Sequence, residues 1–393
     1  MINFQEYQEE LLHLRRTFHQ YPELALKEEK TSAFIRDYME KLGYVLTPVP
    51  PTGWMAELPS LQEKKKQILF RAEMDALPIS EQTELPYASV HPGVMHACGH
   101  DAILSTALIV AKILARQKET FPAGVRFLFE PAEEIGEGAK RMLKSGAIKE
   151  GENPIFLMFH FALDGCEGMA IHRGQASAMI SGMRILVQGR SSHWCEAEKG
   201  IDSIYAAALV VQAMEKLNRT YPRRGPCLTG AGTIHGGAYP NIIADEVILE
   251  GNIRACYEED FYGLRDGLTA AFQEIEKETG ARISMTFPKE PVLPFANDDR
   301  LVDLGIQAGK QEFQERFVLE GEEELFLAGD NAYRYFLKSR GLFLVFLAGM
   351  GQEGYPLHHP KFLLDESMLI RAVRTLWDLL ERIGREEEDN GNH

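Results

Sequence analysis

Apolar positions between residue 4 and about residue 42 recur at helical spacing. Leu11, Leu14 and Phe18 form one set, and Phe34, Ile35, Met39 and Leu42 another, with a break at Tyr21-Pro22-Glu23. The spacing predicts two helices joined by a turn. The texture then changes to short β-branched or aromatic runs. KQILFRAEMD (66–75) and GVRFLFEP (124–131) read as strands, with an apolar helix over 102–114 between them, and PIFLMFH (154–160) as a buried strand ending on a histidine. Strand, helix, strand in that order predicts an α/β layer with its chemistry at strand ends.

Beyond about residue 180 the pattern is different. MRILVQG (183–189) reads as a strand, 201–217 as an amphipathic helix, and CLTGAGTIHGG and ADEVILEGNIRAC as two more strands. LRDGLTAAFQEIEKETG then reads as a helix and ARISMTF as a strand. The order βαββαβ is the ferredoxin-like pattern. Strand and helix signals of the first kind resume with GLFLVFLAG (341–349) and a helix over 366–383, so the βαββαβ unit is an insertion. The expected architecture is an α/β domain built from 1–180 and 290–393, with a central sheet flanked by helices, plus an inserted α+β domain over 181–289. The charged end REEEDNGNH is expected to fray.

Composition narrows the function classes. The chain has 393 residues, is 45% hydrophobic and 25% charged, and carries a net charge of -16. That charge repels nucleic acid and anionic lipid, and no Lys/Arg cluster offsets it, so neither is an expected partner. No apolar run approaches the roughly 18 residues of a membrane span. The first twenty residues mix charge with apolar positions and lack the pattern of a signal peptide. Cys98, Cys166, Cys195, Cys227 and Cys256 are odd in number and widely spaced. They suggest no disulfide framework, and a cytoplasmic location fits.

The chemistry concentrates in a few polar positions. VMHACGHDA (94–102) sets Cys98 between His96 and His100; Glu133 and Glu134 leave a strand together; His160 ends another strand; His358-His359-Pro360 lies far downstream. A metal hydrolase needs several deprotonable N, S or O ligands, an open position and a base for the attacking water. Adjacent carboxylates point different ways, which suits Glu134 as ligand and Glu133 as base. The rival readings for Cys98 are a nucleophile with a histidine base and a buried inert thiol. His96, Asp101, His172 and His235 read as structural or supporting, and the other four cysteines as inert.

FRAEMDALPI, LPYASVHPGVMHACGHDA, EPAEEIGEGAK and LHHPKFLLDE resemble the metallo-amidohydrolases that include auxin-conjugate hydrolases, N-acyl-amino-acid deacylases and aminobenzoyl-glutamate hydrolases. The likeness runs from LRRTFHQYPELALKEE to HHPKF in order. It implies a metal-dependent amidohydrolase acting on N-acyl amino acids or related conjugates through a metal-activated water. It also implies a two-metal centre in which Cys98 bridges, His100 and His160 complete one site, and Glu134 and His358 the other. Zinc, manganese, cobalt and nickel all suit such donors. Asp75 would orient the site. His193 in GRSSHWCEAEKGIDSI would polarise the scissile carbonyl, often across a dimer interface, and Asn241 and Arg254 would hold a small-molecule substrate. The resemblance further implies that the 1–180 and 290–393 domain is catalytic and metal-binding and that the 181–289 domain is a lid through which a homodimer forms.

Three positions depart from the resemblance. Glu73 stands where Asp is usual, Ile103 replaces a histidine, and Asp330-Asn331 replaces a Glu-Asp pair, leaving the proposed ligands intact but altering the surroundings of the substrate. Alternatives to the amidohydrolase are a dipeptidase or carboxypeptidase on the same scaffold, a non-catalytic metal or amino-acid binder, and a cysteine hydrolase using Cys98.

Overall fold

The computed structural model describes residues 2–163, 167–320, 327–350 and 354–386. Cys166 and the tail from 387 lie outside the described residues. The chain divides into two units. The first takes the chain up to Gly174, resumes at Ala296, and holds what is described from Asn331 onward; the second runs over Gln175–Phe295 and includes the described residues up to Asp330.

The first unit begins with α1 (Gln8–Gln20), α2 (Glu29–Lys41), β1 (Val45–Val49), β2 (Gly53–Glu57) and β3 (Gln67–Glu73). It continues through α3 (His100–Gln117), β4 (Gly124–Glu130), α4 (Gly138–Lys144), β5 (Ile155–Ala162) and β6 (Met169–Ile171). The two-residue strand β7 (Gly174–Gln175) lies where the chain leaves the unit and β14 (Ala296–Asn297) where it re-enters. The elements β8–β13, α5 and α6 belong to the second unit and are given below. After β14 come α7 (Asp299–Glu312), β15 (Val318–Glu320), α8 (Tyr333–Phe336), β16 (Arg340–Leu347) and α9 (Ser367–Arg385).

The strands of this unit form one eight-stranded mixed sheet in the order β1-β2-β4-β3-β5-β16-β6-β15. Its centre, β4-β3-β5-β16, is parallel throughout. Strands buried on both faces should read as continuous apolar runs rather than alternate. The runs ILFRAE, VRFLFE and IFLMFHF do so, and β3 and β4 are buried at every position. Helix α3 is buried on almost its whole circumference from Ala102 to Ala111, including Ile103. The edge hairpin β1–β2 goes beyond what periodicity predicts, because Pro48 and the Pro50-Pro51 turn mask a strand that needs few ladder bonds. Helix α7 was also unpredicted, although Asp298 caps it by accepting from the N–H groups of Arg300 and Leu301.

Helix α1 is tied to the start of α3 by buried charge. Arg15 Nε lies 3.0 Å from Asp101 Oδ2, and His19 Nδ1 lies 2.8 Å from the same oxygen. Burial works against the Asp101 carboxylate, but Arg15 and His19 outweigh it and hold its pKa far below the usual range. Arg15 also reaches Glu366, at the head of α9, at 3.0 Å.

The second unit contains β8 (Met179–Gln188), β9 (Ser192–His193), α5 (Ser203–Thr220), β10 (Cys227–Gly236), β11 (Ile242–Ile243), β12 (Glu246–Ala255), α6 (Glu258–Thr279) and β13 (Arg282–Thr286). Its four long strands form an antiparallel sheet ordered β10-β12-β8-β13. Counted from β8, that is the ferredoxin-like βαββαβ arrangement. Strand β8 alternates buried and exposed residues, so Met183, Ile185 and Val187 meet α5 and α6 in a core of their own. Asp202 caps α5 through the N–H groups of Ile204 and Tyr205.

Removing Arg15 leaves Asp101 a buried charge with one weaker partner. Arg15→Met is expected to cost about 3–5 kcal/mol, read as a lowered urea midpoint; adding Asp101→Asn to it is expected to recover part of that loss.

Candidate metal centre

The centre is assembled at the carboxyl ends of the parallel strands, where open α/β sheets place their ligands. Asp75 follows β3, Glu133 and Glu134 follow β4, and His160 lies near the end of β5. Cys98 and His100 flank Gly99 at the N-terminus of α3. Gly99 has a φ of +84°, a left-handed conformation that lets the chain bend there and present both neighbours to one place. His358 arrives from the distant loop before α9. It too is left-handed, with φ +64°, and its N–H donates to Ala97 O at 2.8 Å. A non-glycine residue held there stores strain that the surroundings must offset, as is common at functional sites.

Cys98 Sγ is the hub. It lies 3.6 Å from His160 Nε2 and 3.3 Å from His358 Nε2. Glu134 Oε1 is 4.0 Å from His100 Nε2 and 3.8 Å from His358 Nε2. Two triplets of donor atoms are close enough to hold a metal ion: Cys98, His100 and His160, and Cys98, Glu134 and His358. Cys98 belongs to both. A third grouping, His100, Glu133 and Glu134, puts the second carboxylate alongside. His359 stands apart from this set: its ring stacks on Tyr355 at 4.5 Å and its Nδ1 accepts from Lys361 N–H.

The surrounding residues fix this geometry. His100 Nδ1 donates to Asp75 O at 2.8 Å and His160 Nδ1 to Phe161 O at 2.7 Å, leaving each Nε2 lone pair for the centre. Both carboxylate oxygens of Asp75 are used in turn: Glu133 N–H donates to Oδ1 and Glu134 N–H to Oδ2, each at 3.0 Å. Asp75 is buried, which would raise its pKa, yet His100 and these two amides hold it below the usual range.

The donor set fits divalent cations. Burial pushes the Cys98 thiol up to about 12, so a thiolate here needs a cation to form, and a coordinated metal deprotonates a thiol outright. Glu134 Oε1 is buried without a hydrogen-bond partner. A buried carboxylate oxygen left bare is costly unless something positive meets it. His96 is buried and its pKa is lowered to about 4, chiefly by that burial; it belongs to none of the three groupings.

Beneath the centre lies a charged network that sequence reading did not anticipate. Arg71 on β3 donates to Glu73 at 2.6 Å and to both oxygens of Glu130 at 3.1 and 2.9 Å. Tyr335 OH donates to Glu130 Oε2 at 2.6 Å, and Asn331 bridges from Arg71 to Glu133 O, each contact 3.4 Å. Glu73 is 1% exposed, so this departure from the usual Asp sits in the support rather than in the substrate's surroundings. The legible signal was charge inside strands otherwise apolar, since Arg and Glu are almost never fully buried unless paired.

The remaining expected site residues stand in the second unit. His193 on β9 pairs with Ile242 on β11, and Trp194 N–H donates to Asn241 O at 3.2 Å, so His193 and Asn241 share one small ribbon. Arg254 lies on β12, donating to Asn252 Oδ1 and Leu327 O, each at 2.9 Å.

A mixed α/β sheet with a thiol, imidazole and carboxylate cluster at its carboxyl edge, in a chain that matches a peptidase family, marks a metal-dependent hydrolase of amide bonds. The chain belongs to peptidase family M20/M25/M40, whose model matches residues 69–382. It is 32% identical to an N-acetyldiaminopimelate deacetylase of Listeria monocytogenes, over 95% of this chain and 99% of that one. It is 30% identical to an N-acetyl-L-cysteine deacetylase of Bacillus subtilis, over 99% and 92%. Among solved structures, a dinuclear metal-binding M20 peptidase of Bacillus subtilis superposes with a TM-score of 0.80 at 27% identity, covering 96% of this chain and 98% of that one.

Because Cys98 is common to both triplets, Cys98→Ala is expected to weaken every equivalent of bound metal, whereas His160→Ala weakens one. Asp75→Asn places an amide against two N–H donors and is expected to cost about 10–100-fold in metal affinity. Calorimetric titration of metal-stripped protein with manganese checks all three.

Proposed function

We propose that this protein hydrolyses the amide bond of N-acyl amino acids or related amino-acid conjugates, releasing a carboxylate and an amine. The observation that carries the reading is the pair of donor triplets sharing Cys98, with Glu133 beside them. Cys98, His100 and His160 would hold one divalent ion and Cys98, Glu134 and His358 a second; zinc, manganese, cobalt or nickel suits this mixture of donors. When bound, such ions polarise a carbonyl and make water acidic enough to attack near neutral pH.

The chain's own residues supply the rest. Glu133, anchored through its backbone to Asp75, takes the proton from the attacking water and delivers it to the leaving nitrogen. His193 donates to the developing oxyanion. Its Nδ1 accepts from Cys195 N–H at 3.2 Å, which leaves Nε2 as the ring's donor. Arg254 suits a substrate carboxylate because its planar fork can form two parallel bonds, and Asn241 offers both a donor and an acceptor. The relatives named for N-acetyl-L-cysteine and N-acetyldiaminopimelate favour acyl amino acids over dipeptides as first substrates to try. A cysteine-nucleophile mechanism is disfavoured, because burial drives the Cys98 thiol away from its reactive form.

A homodimer through the second unit is part of the proposal. β10 is an edge strand whose outer half is exposed, with Ile234 54% accessible, and α5 beside it exposes Ile204, Tyr205 and Val211. An unpaired ladder edge flanked by apolar side chains is a template for a second copy. The widely spaced cysteines, among which Cys98, Cys195 and Cys227 are free thiols, fit a cytoplasmic setting. No helix among the described residues is long and apolar enough to cross a membrane.

Metal-stripped protein is expected to release free amino acid from a panel of N-acetyl and longer N-acyl amino acids only after manganese, zinc, cobalt or nickel is restored. Glu133→Gln is expected to lower kcat by at least about 100-fold while two equivalents of metal still bind; cleavage that survives chelation would sink the reading. Sedimentation of the wild type should give a dimer, and Ile234→Asp should shift it to monomer.

A further inference from the structure

Three consecutive amides leave β4, and each donates to a buried carboxylate. Two of them, from Glu133 and Glu134, reach Asp75. The first, from Ala132, donates to Glu28 Oε1 at 2.9 Å, and Glu28 Oε2 accepts from Thr52 Oγ1 at 2.6 Å. Glu28 is fully buried, in the segment just before α2, and none of the metal-holding groupings includes it. A carboxylate taken wholly out of water needs such partners, and here both of its oxygens are engaged in binding the chain.

The residue it grips is unusual. Ala132 has φ +58°, a left-handed conformation that L-residues other than glycine, asparagine and aspartate rarely adopt. The turn is closed on its other side by Glu137 and Gly138, whose N–H groups both donate to Ala132 O at 3.2 Å. Next to Thr52, a Cβ built on Gly53, the first residue of β2, would come within 2.7 Å of Pro131 Cδ, so the chain beside the brace also packs directly on the residue before the turn.

We propose that Glu28, braced by Thr52, is a positioning residue for the two reactive carboxylates: by holding Ala132 left-handed it sets where Glu133 and Glu134 stand relative to Cys98, His100 and His358. Glu28 touches neither metal nor substrate and acts only through the loop. The roles of Glu133 and Glu134 rest on the function proposed above, whereas the latch itself does not.

The test uses the full-length chain as wild type, Glu28→Ala, Glu28→Gln, Thr52→Val and the double variant Glu28→Ala/Ala132→Gly. Hydrogen exchange of metal-free protein is measured first. Glu28→Ala is expected to speed exchange of amides 132–134 by about ten-fold or more while β3 and α3 keep their protection. Thr52→Val should do so more weakly, and Glu28→Gln, which keeps an acceptor for Ala132 N–H, should stay near wild type. Titration with manganese should show one of two equivalents weakened about 10–100-fold in Glu28→Ala. With an N-acyl amino acid, kcat should fall about 10–100-fold at unchanged KM. Glycine at 132 adopts the left-handed turn unaided, so the double variant should regain much of both losses.

Unchanged exchange at 132–134 in a folded Glu28→Ala would overturn the proposal. So would a general rise in exchange with metal affinity and kcat per folded molecule intact, the signature of a purely structural carboxylate. Should Glu28→Ala not fold, Thr52→Val decides by the same two criteria. Faster local exchange and weaker metal binding in a protein whose wild type cleaves no acyl amino acid would uphold the latch and refute the proposed substrate.

Discussion

Anionic donors crowded at the edge of a parallel sheet are the condition on which this protein depends. Cys98, Asp75, Glu133 and Glu134 meet at this partly buried edge together with His100, His160 and the exposed imidazole of His358. Left to itself the cluster keeps the thiol's proton, because burial pushes Cys98 up to about 12. In the proposed centre, divalent cations would replace that proton and meet Glu134 Oε1, which has no hydrogen-bond partner.

Keeping such donors apart in space but close in energy requires a stiff frame. The parallel strands deliver Asp75, Glu133, Glu134 and His160 to one edge, and their interiors are packed with Phe70, Phe127, Phe129, Phe159 and Phe161. Buried charge does the fine work: Arg71 with Glu73 and Glu130 under the sheet edge, Arg15 and His19 with Asp101 behind α3, and Glu28 and Asp75 gripping the loop after β4. Paired charges of this kind add little net stability, but removing one partner is severe, which makes the geometry hard to relax. The sequence changes at Glu73 and Asn331 fall inside the first of these networks, where a carboxylate and an amide share one guanidinium.

The second unit follows different rules. Its antiparallel sheet alternates in and out, keeps one face on α5 and α6, and leaves the edge strand β10 open. That combination supports the proposed dimer. Its His193 and Asn241 sit on a short ribbon, positioned by a pair of strands too brief to carry a hydrophobic signature.

The linear sequence determined the class of fold and the identity of the donors. Short continuous apolar runs bounded by turn signals fit strands of a covered sheet, the βαββαβ order after residue 180 matches the observed order of strands, and Cys98, His100, Glu134, His160 and His358 are residue types able to bind metal. What the residues alone, without the family resemblance, could not decide was the meeting. That His358 rather than His359 faces Cys98 depends on a left-handed backbone turn and a hydrogen bond to Ala97, 261 residues away in the chain. That Glu28 and Asn331 support Glu133 depends on contacts across more than a hundred positions, to which local propensity is blind. Short-range periodicity reports which face of an element is buried; only the closed fold selects which buried charges become neighbours, because that choice is made by packing between elements rather than within them.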